Sequence, residues 1–275
     1  MRKLFAMFVS LLAMAGCTVE EGDDGGRTLG VYRIFCSADD VMRKVHLRAM
    51  DVARLTEEYI GASESERPAI WEKVPFYFYM TEVEENHWQL VGRPQPEDEL
   101  WVWHLYTDGK SLYEAGSRWT IALSRYTDGA EDEWTAGRAT IESLGDCTWS
   151  YVMEPSATGL AYGAELSVAL QSEAQERGHV RYEVSGTGTT QLRSGGGWLE
   201  QPRTVKVDYR ADRAEYTFCN LQPGISLGGG YDLTLSGDGF PQPVEMSVSF
   251  LMGGTTVTVG EVSEYYGDVM CDVLR

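Results

Sequence analysis

Positive charge is scarce in this sequence. The chain has 23 lysine and arginine residues against 42 aspartate and glutamate residues, which gives a formal net charge of −19 at pH 7. The basic residues never form a run longer than a pair. Because so acidic a surface repels phosphate backbones, we exclude nucleic acid as a partner.

Motifs that carry a specific chemistry are also lacking. The four histidines are scattered, no C-x-x-C pair occurs, and no glycine-rich phosphate loop precedes a helix pattern. Gly224–Gly228 matches G-x-S-x-G around Ser226, but a strand pattern at Tyr231–Leu235 follows where a nucleophile elbow needs a helix. We therefore predict no catalytic residue, no metal site and no cofactor.

A long apolar run is present at the N-terminus. Leu4–Ala15 is interrupted only by Ser10, and Arg2 and Lys3 precede it. This run is too short to span a bilayer as a permanent helix. A positive start followed by a short apolar run and small residues predicts a cleaved secretory signal peptide over residues 1–16.

The end of this segment, Met14-Ala15-Gly16-Cys17, resembles the lipobox of bacterial lipoproteins, with Met14 in place of the usual leucine. The resemblance implies that Cys17 becomes the mature N-terminus and the site of lipid attachment. Two or more acyl chains anchor a protein stably, whereas one chain does not. The alternatives are an ordinary cleaved signal with an incidental cysteine, or a short N-terminal membrane helix.

Residues 17–30 form an acidic, glycine-rich segment. Thr18, where an aspartate would retain such a lipoprotein at the inner membrane, implies passage to the outer membrane. The acidic residues resemble the tether that directs lipoproteins of gut Gram-negative anaerobes to the cell surface, and they are Glu20, Glu21, Asp23 and Asp24. The same composition is also typical of a solvated flexible linker. We expect an outer-membrane, lipid-anchored protein, with exposure at the cell surface as a further expectation.

Four cysteines remain after Cys17. An even number in an exported chain permits two disulfides, and four cysteines allow three connectivities. We predict Cys36–Cys147 and Cys219–Cys271, because this pairing keeps each bridge within one half of the chain. The alternative is four buried free thiols.

A helical period of apolar residues predicts one amphipathic helix at about 38–60, beginning after Ser37 and ending at Gly61. We expect His46 on the flank of this helix. Residues 65–73 predict a short second helix. The apolar side of the first helix consists of Val41, Val45, Val52, Leu55 and Tyr59.

From Phe76 onward the apolar period changes to two, which indicates about ten to twelve antiparallel strands with one wet and one dry face. No βαβ alternation occurs. We predict a mainly β fold, a large antiparallel meander folded as a sandwich or partial barrel, with the helix packed on it. The β-rich domain covers residues 31–275, with a sub-boundary near 155–159, and Gly186–Gly197 is expected to be a long loop.

Aromatic residues crowd the first half of the chain. Trp101 and Trp103 alternate along one predicted strand, and Trp198 follows three glycines. These three rings are the candidate ligand-binding residues, because flat rings stack on sugars and grip protein partners. The alternative is that the rings fill the core beneath the helix.

From the helix through Thr107–Leu112 to Thr120, the chain resembles uncharacterised surface lipoproteins of gut Gram-negative anaerobes. This resemblance implies a cellular location but no specific activity. We expect a non-enzymatic binding module whose partner is a glycan or a protein, beside the membrane that holds its lipid anchor. The alternatives are an envelope hydrolase acting on glycan or ester, and a structural envelope component.

Overall fold

The computed structural model describes residues 34–267, except residues 37, 73–77, 93–99, 128–129, 133–136, 155–161, 175–178, 195–202, 239 and 252–253. The predicted signal peptide, lipid-attachment residue Cys17 and tether lie outside the described residues, and so do Trp198 and Cys271. Among the helices of the described part, none is long and apolar enough to cross a membrane.

The first helical segment runs from Ile34 to Gly61 and confirms the predicted helix, with an earlier start. It contains a π-helical turn, Met42–Leu47, followed by helix α1, Arg48–Gly61. The α1 helix ends where Ala62 adopts an extended conformation. A short helix α2, Arg67–Glu72, follows, within the range predicted for the second helix.

This helical segment is buried on nearly all of its sides. The predicted apolar side is buried from Val41 to Leu55, as expected. The polar residues on the other sides are buried too: His46 and Asp51 are 0% exposed, and Arg48 is 7% exposed. His46 was predicted on the flank of the helix, and the sheet covers this flank as well, because the imidazole lies against Tyr151 of the sheet.

Fourteen strands follow in the described residues, and they form one antiparallel sheet. They are β1 (Phe78–Glu84), β2 (His87–Gly92), β3 (Leu100–Tyr106), β4 (Arg118–Thr127), β5 (Ala130–Asp132), β6 (Arg138–Gly145), β7 (Thr148–Glu154), β8 (Tyr162–Ala174), β9 (His179–Ser194), β10 (Arg203–Cys219), β11 (Gln222–Gly237), β12 (Phe240–Leu251), β13 (Gly254–Val259) and β14 (Val262–Gly267). Thirteen strands are neighbours in chain order, and β5 pairs only with β4. The predicted antiparallel meander is confirmed.

The sheet is a single open layer that curves around the helical segment. Phe35 contacts Tyr231 of β11 and Phe250 of β12, whereas Tyr59, near the C-terminal end of α1, contacts Trp88 of β2. The helical segment therefore crosses most of the strands. Because the segment is buried on nearly all of its sides, the sheet must bend around it, which corresponds to the partial barrel rather than to a two-sheet sandwich.

The core lies between the helical segment and the inner face of the sheet. Inward residues of every second position are buried along the strands, as in β7, where Trp149, Tyr151 and Met153 are at most 4% exposed. The predicted sub-boundary near 155–159 lies outside the described residues. The strands on either side of residues 155–161, β7 and β8, pair with each other, so the sheet is continuous there.

The predicted long loop at Gly186–Gly197 is wrong over most of its length. β9 extends from His179 to Ser194 and is paired on both sides. The β-branched residues Thr187, Thr189 and Thr190 favour an extended conformation and outweigh the intervening glycines.

The predicted Cys36–Cys147 disulfide is also wrong, because the Cys147 thiol is free. Cys36 lies beside Phe35, which contacts β11 and β12, whereas Cys147 lies in the turn between β6 and β7. A disulfide needs Cα atoms within about 7 Å of each other. The partner predicted for Cys219 is Cys271, outside the described residues.

Candidate functional site

Two buried carboxylates of the helical segment hold it against the sheet. Asp51 accepts hydrogen bonds from the Tyr182 hydroxyl (3.0 Å), the Leu221 backbone N–H (2.7 Å) and Arg54 Nε (2.9 Å). Asp39 accepts a hydrogen bond from the Tyr216 hydroxyl (2.6 Å), and burial raises the pKa of the Asp39 carboxyl above its usual value. Because both carboxylates are at most 4% exposed and hydrogen-bonded, they are structural rather than binding groups.

A surface groove crosses the outer face of seven adjacent strands, β7 to β13, and has a volume of about 1360 Å³. One row of residues in register runs along it, with one member from each strand, in the order Val152, Glu165, Thr187, Arg210, Asp232 and Ser247. The row ends at Thr258 of β13.

The outward side chains form the surface of the groove. Glu165, Thr187 and Asp232 are exposed, whereas the residues between them in the strands point into the core: Leu233 is 3% exposed and Tyr209 is 5% exposed. Alternation along a strand places these two sets on opposite faces. The carboxylates of the groove therefore lie on the solvent side of the sheet, whereas the buried members of its lining, among them Met153 and Leu233, point toward the core.

The groove is strongly acidic. Arg210 is the single basic residue among the described residues that line it. Lys206, outside the lining, pairs with the Asp208 carboxylate at 2.8 Å. The carboxylates of the lining are Glu154, Glu165, Asp208, Asp232 and Glu245. Such clustered carboxylates create a negative potential that attracts cations.

Hydroxyl groups complete the polar lining, and they belong to Thr187, Thr234, Ser247 and Thr258, whereas the Oγ1 atom of Thr189 is buried. The aromatic residue among the described lining residues is Tyr209, whose ring lies in the core, where burial raises the pKa of its hydroxyl. A Cβ added at Gly188 would lie 2.2 Å from the Tyr209 Oη atom, so the glycine makes room for this ring. The groove thus offers acceptors and hydroxyls without an exposed ring for stacking.

None of the aromatic residues predicted to bind ligand is among the described residues that line this groove. Trp103 is 1% exposed and lies in the core, so the core alternative is correct for this ring. Trp101 lies in β3, opposite Gly92 of β2 and Arg125 of β4. Trp198 and the lipid-attachment residue Cys17 lie outside the described residues.

Ser226 lies within β11, opposite Tyr216 of β10. Strand continues on both sides of it, so the strand-turn-helix context of a nucleophile elbow is absent there, as the sequence predicted. Within the described part of the chain, no three histidine, cysteine, aspartate or glutamate side chains come close enough to hold a metal ion together.

The period of two predicted one wet and one dry face for the strands, and Asp208 and Arg210, at outward positions of β10, are groove residues. It missed the groove because the pattern of one strand does not give its register against the next. The signal that could have been noticed is the recurrence of acidic residues at outward positions of successive strands, as at Glu165, Asp208 and Asp232.

Comparisons with known proteins gave no match: neither a protein-family model, nor a curated protein, nor a solved structure is significantly similar to this chain.

Proposed function

We propose that this chain is an outer-membrane lipoprotein, held by acyl chains on Cys17, whose β-rich body binds a basic segment of a protein partner without catalysis. The observation that carries the binding part is the acidic groove across β7 to β13. The anchor is supported by the apolar run and terminal Gly16-Cys17 of the first seventeen residues.

The dimensions of the groove suit an extended peptide. Neighbouring strands are about 4.8 Å apart, so seven strands span roughly 29 Å across the sheet. An extended chain advances about 3.3 Å per residue, so roughly nine residues would cover this distance. Lysine and arginine side chains of such a segment would meet carboxylates from five strands, among them Glu165, Asp208 and Asp232.

The lining favours a basic protein segment over a glycan. Carboxylates form charge-assisted hydrogen bonds with lysine and arginine, and these are about twice as strong as neutral ones. Sugar-binding surfaces usually add an aromatic ring for stacking, and the ring of Tyr209 is turned into the core. The glycan alternative therefore depends on Trp101 and Trp198, neither of which is among the described residues that line the groove.

The binding test uses the purified chain and a labelled nine-residue lysine- and arginine-rich peptide, with an acidic peptide as the probe control. We expect binding of the basic peptide alone, weakening as salt is added because the carboxylates are exposed. The Asp232→Asn, Glu245→Gln double variant should lower the affinity at least about tenfold, since it removes two charges from the groove. The measurement is fluorescence anisotropy at several salt concentrations.

The matched control is the Glu142→Gln, Asp146→Asn double variant, which removes two exposed charges outside the groove. Equal losses in both double variants would mean that general negative charge, not the groove, binds the peptide. Binding of a neutral oligosaccharide that is lost in Trp101→Ala or Trp198→Ala would support the glycan alternative instead. Turnover of a glycan or ester substrate would support the hydrolase alternative, and the absence of any binding would support a structural role.

A further inference from the structure

One positively charged side chain lies at the middle of the groove. Arg210 is an exposed residue at an outward position of β10, which is the fourth of the seven strands that the groove crosses. Its neighbours in register are Thr187 of β9 and Asp232 of β11. Within the described part of the chain, the Arg210 guanidinium forms no ion pair, not even with Asp232. This cation is therefore available to a bound molecule.

Carboxylates flank Arg210 on both sides along the groove. Two of them lie on the first two strands and form the first cluster, and two lie on β11 and β12 and form the second cluster. All four are exposed, and they are Glu154 of β7, Glu165 of β8, Asp232 of β11 and Glu245 of β12. The remaining carboxylate of the lining, Asp208, already pairs with Lys206 at 2.8 Å. The unpaired charges of the groove thus follow the order negative, positive, negative.

On the basis of the proposed binding of a basic segment, we propose that Arg210 sets the charge pattern of that segment: an acidic side chain lies against Arg210, and a basic side chain lies against each carboxylate cluster. A lysine or arginine held against Arg210 would meet a charge of its own sign, which weakens a complex. A carboxylate in the same place would form charge-assisted hydrogen bonds with the guanidinium, which can donate two parallel N–H bonds to it.

The positions of the strands predict the spacing of these three side chains. Neighbouring strands are about 4.8 Å apart, so Arg210 lies roughly 12 Å from the middle of the first cluster and roughly 7 Å from the middle of the second. An extended chain advances about 3.3 Å per residue, so these distances correspond to roughly four and roughly two residues. Both numbers are even, and alternate side chains of an extended segment project from the same side. The expected pattern is basic, three residues of any type, acidic, one residue of any type, basic.

The test compares three nine-residue peptides with blocked termini by fluorescence anisotropy. Each has lysine at its second and eighth positions, and the sixth position is glutamate, glutamine or lysine, with glycine and serine elsewhere. General attraction to an acidic surface predicts that affinity rises from the glutamate to the lysine peptide, because the net charge rises. We expect the opposite order, with the glutamate peptide bound at least about threefold more tightly than the lysine peptide, as one exposed ion pair allows.

Arg210→Gln should abolish this preference, and Arg210→Glu should reverse it. Arg118→Gln is the matched control, because Arg118 is exposed on β4 outside the lining, and this variant should keep the preference. An affinity that rises from glutamate to lysine in the wild-type chain, which needs no variant to observe, would overturn the role of Arg210 while leaving the groove as a site for basic segments. A preference that Arg210→Gln retains would also overturn it. If neither these peptides nor the lysine- and arginine-rich peptide binds, the proposed function itself fails, and the charge pattern fails with it.

Discussion

At the scale of the residue, His46 is a histidine kept neutral by burial. It is fully buried in the π-helical turn, its Nδ1 atom lies 3.3 Å from the Tyr151 hydroxyl, and its Nε2 atom has no hydrogen-bond partner among the described residues. Burial lowers the pKa of His46 from its usual value of 6.5 to about 3. The charged imidazolium is therefore incompatible with the folded core.

This burial predicts a pH dependence of stability. The pKa of His46 is lower in the folded state than in the unfolded state, so protonation of this histidine favours unfolding. The contribution of neutral His46 to the unfolding free energy is therefore fully present above about pH 6.5 and is lost as the pH falls toward 3. We expect the wild-type chain to lose up to about 5 kcal/mol of unfolding free energy from this group over that range. His46→Gln, which cannot be protonated, should lack this part of the slope.

The measurement is urea denaturation at several pH values between 7 and 3.5, with the difference between the two chains compared at each pH. His179→Gln is the control, since that histidine is exposed. A wild-type chain whose stability runs parallel to that of His46→Gln across the range would contradict the assignment.

A second prediction at the residue scale concerns the stability of the chain without the Asp51 carboxylate. This carboxylate accepts from Tyr182, from Arg54 and from the backbone N–H of Leu221, all of them buried. Asp51→Ala leaves the Arg54 charge and two other donors without this partner, so we expect a destabilisation of about 3–5 kcal/mol. Asp212→Ala, at an exposed position of β10, should change stability by less than about 0.5 kcal/mol. Thermal and urea unfolding would measure the stability change of each variant. Equal changes in the two variants would show that the hydrogen bonds of Asp51 do not stabilise the fold.

At the scale of the element, the pairing of β10 with β11 contains an irregular segment. The register shifts between Asp212 and Glu215, and Arg213 and Gly229 both have positive φ, of 48° and 74°. A Cβ added at Gly229 would lie 1.9 Å from the Arg213 carbonyl oxygen, which is backbone and cannot turn aside. This position therefore requires glycine.

We expect Gly229→Ala to destabilise the chain by at least about 2 kcal/mol, from the positive φ and the backbone clash together. Gly61→Ala is the matched control, because Gly61 ends helix α1 and has no atom within 4 Å of an added Cβ. That variant should be neutral or slightly more stable, since alanine favours helix. The measurement is the midpoint of urea denaturation of both variants at one pH. A Gly229→Ala chain as stable as the Gly61→Ala chain would contradict the prediction.

The elements also show which parts of the fold a sequence can predict. The strand β6 alternates Ala139 and Ile141 inward with Thr140 and Glu142 outward, and period two was enough to predict such strands. The burial of Arg48 and Asp51 was not predictable in the same way, because their partners Leu221 and Tyr182 are more than a hundred residues away. The period of apolar residues along the sequence predicts whether a segment is a helix or a strand. Which polar residues that segment can bury depends on hydrogen bonds to residues far away in the chain.

At the scale of the whole molecule, the proposed lipid anchor predicts where the chain is found. We expect the wild-type protein to fractionate with the outer membrane and to release an N-terminal peptide whose mass includes acyl chains on Cys17. Cys17→Ser removes the sulfur to which the lipid is proposed to be attached, so this variant should lose the acyl mass and leave the membrane fraction. Cys147→Ser, which removes a free thiol in the folded body, is the control and should stay bound. An unmodified Cys17 in the native product would refute the anchor without affecting the groove.

The groove and the contact between two histidines of β2 and β3 are features of the whole sheet and therefore escaped the sequence. Glu165 and Asp232 are separated by two intervening strands, and only the register of four strands puts them in one row. In the same way the contact between His87 and His104 was not predictable from their spacing in the sequence, because they meet only through the register in which β2 and β3 pair. Composition predicted the acidity of the surface but could not place its charges.

An enclosed helical segment at the start of the chain also has a consequence for the order of folding. The hydrogen bond from Tyr216 to Asp39 closes a loop of 177 residues, and Asp51 meets Leu221 across 170 residues. During synthesis the segment emerges long before the strands that will cover it, and contacts so distant in the chain form slowly. We therefore expect the nascent polypeptide to remain uncompacted until translation is nearly complete, which is the state that an export channel requires of its cargo.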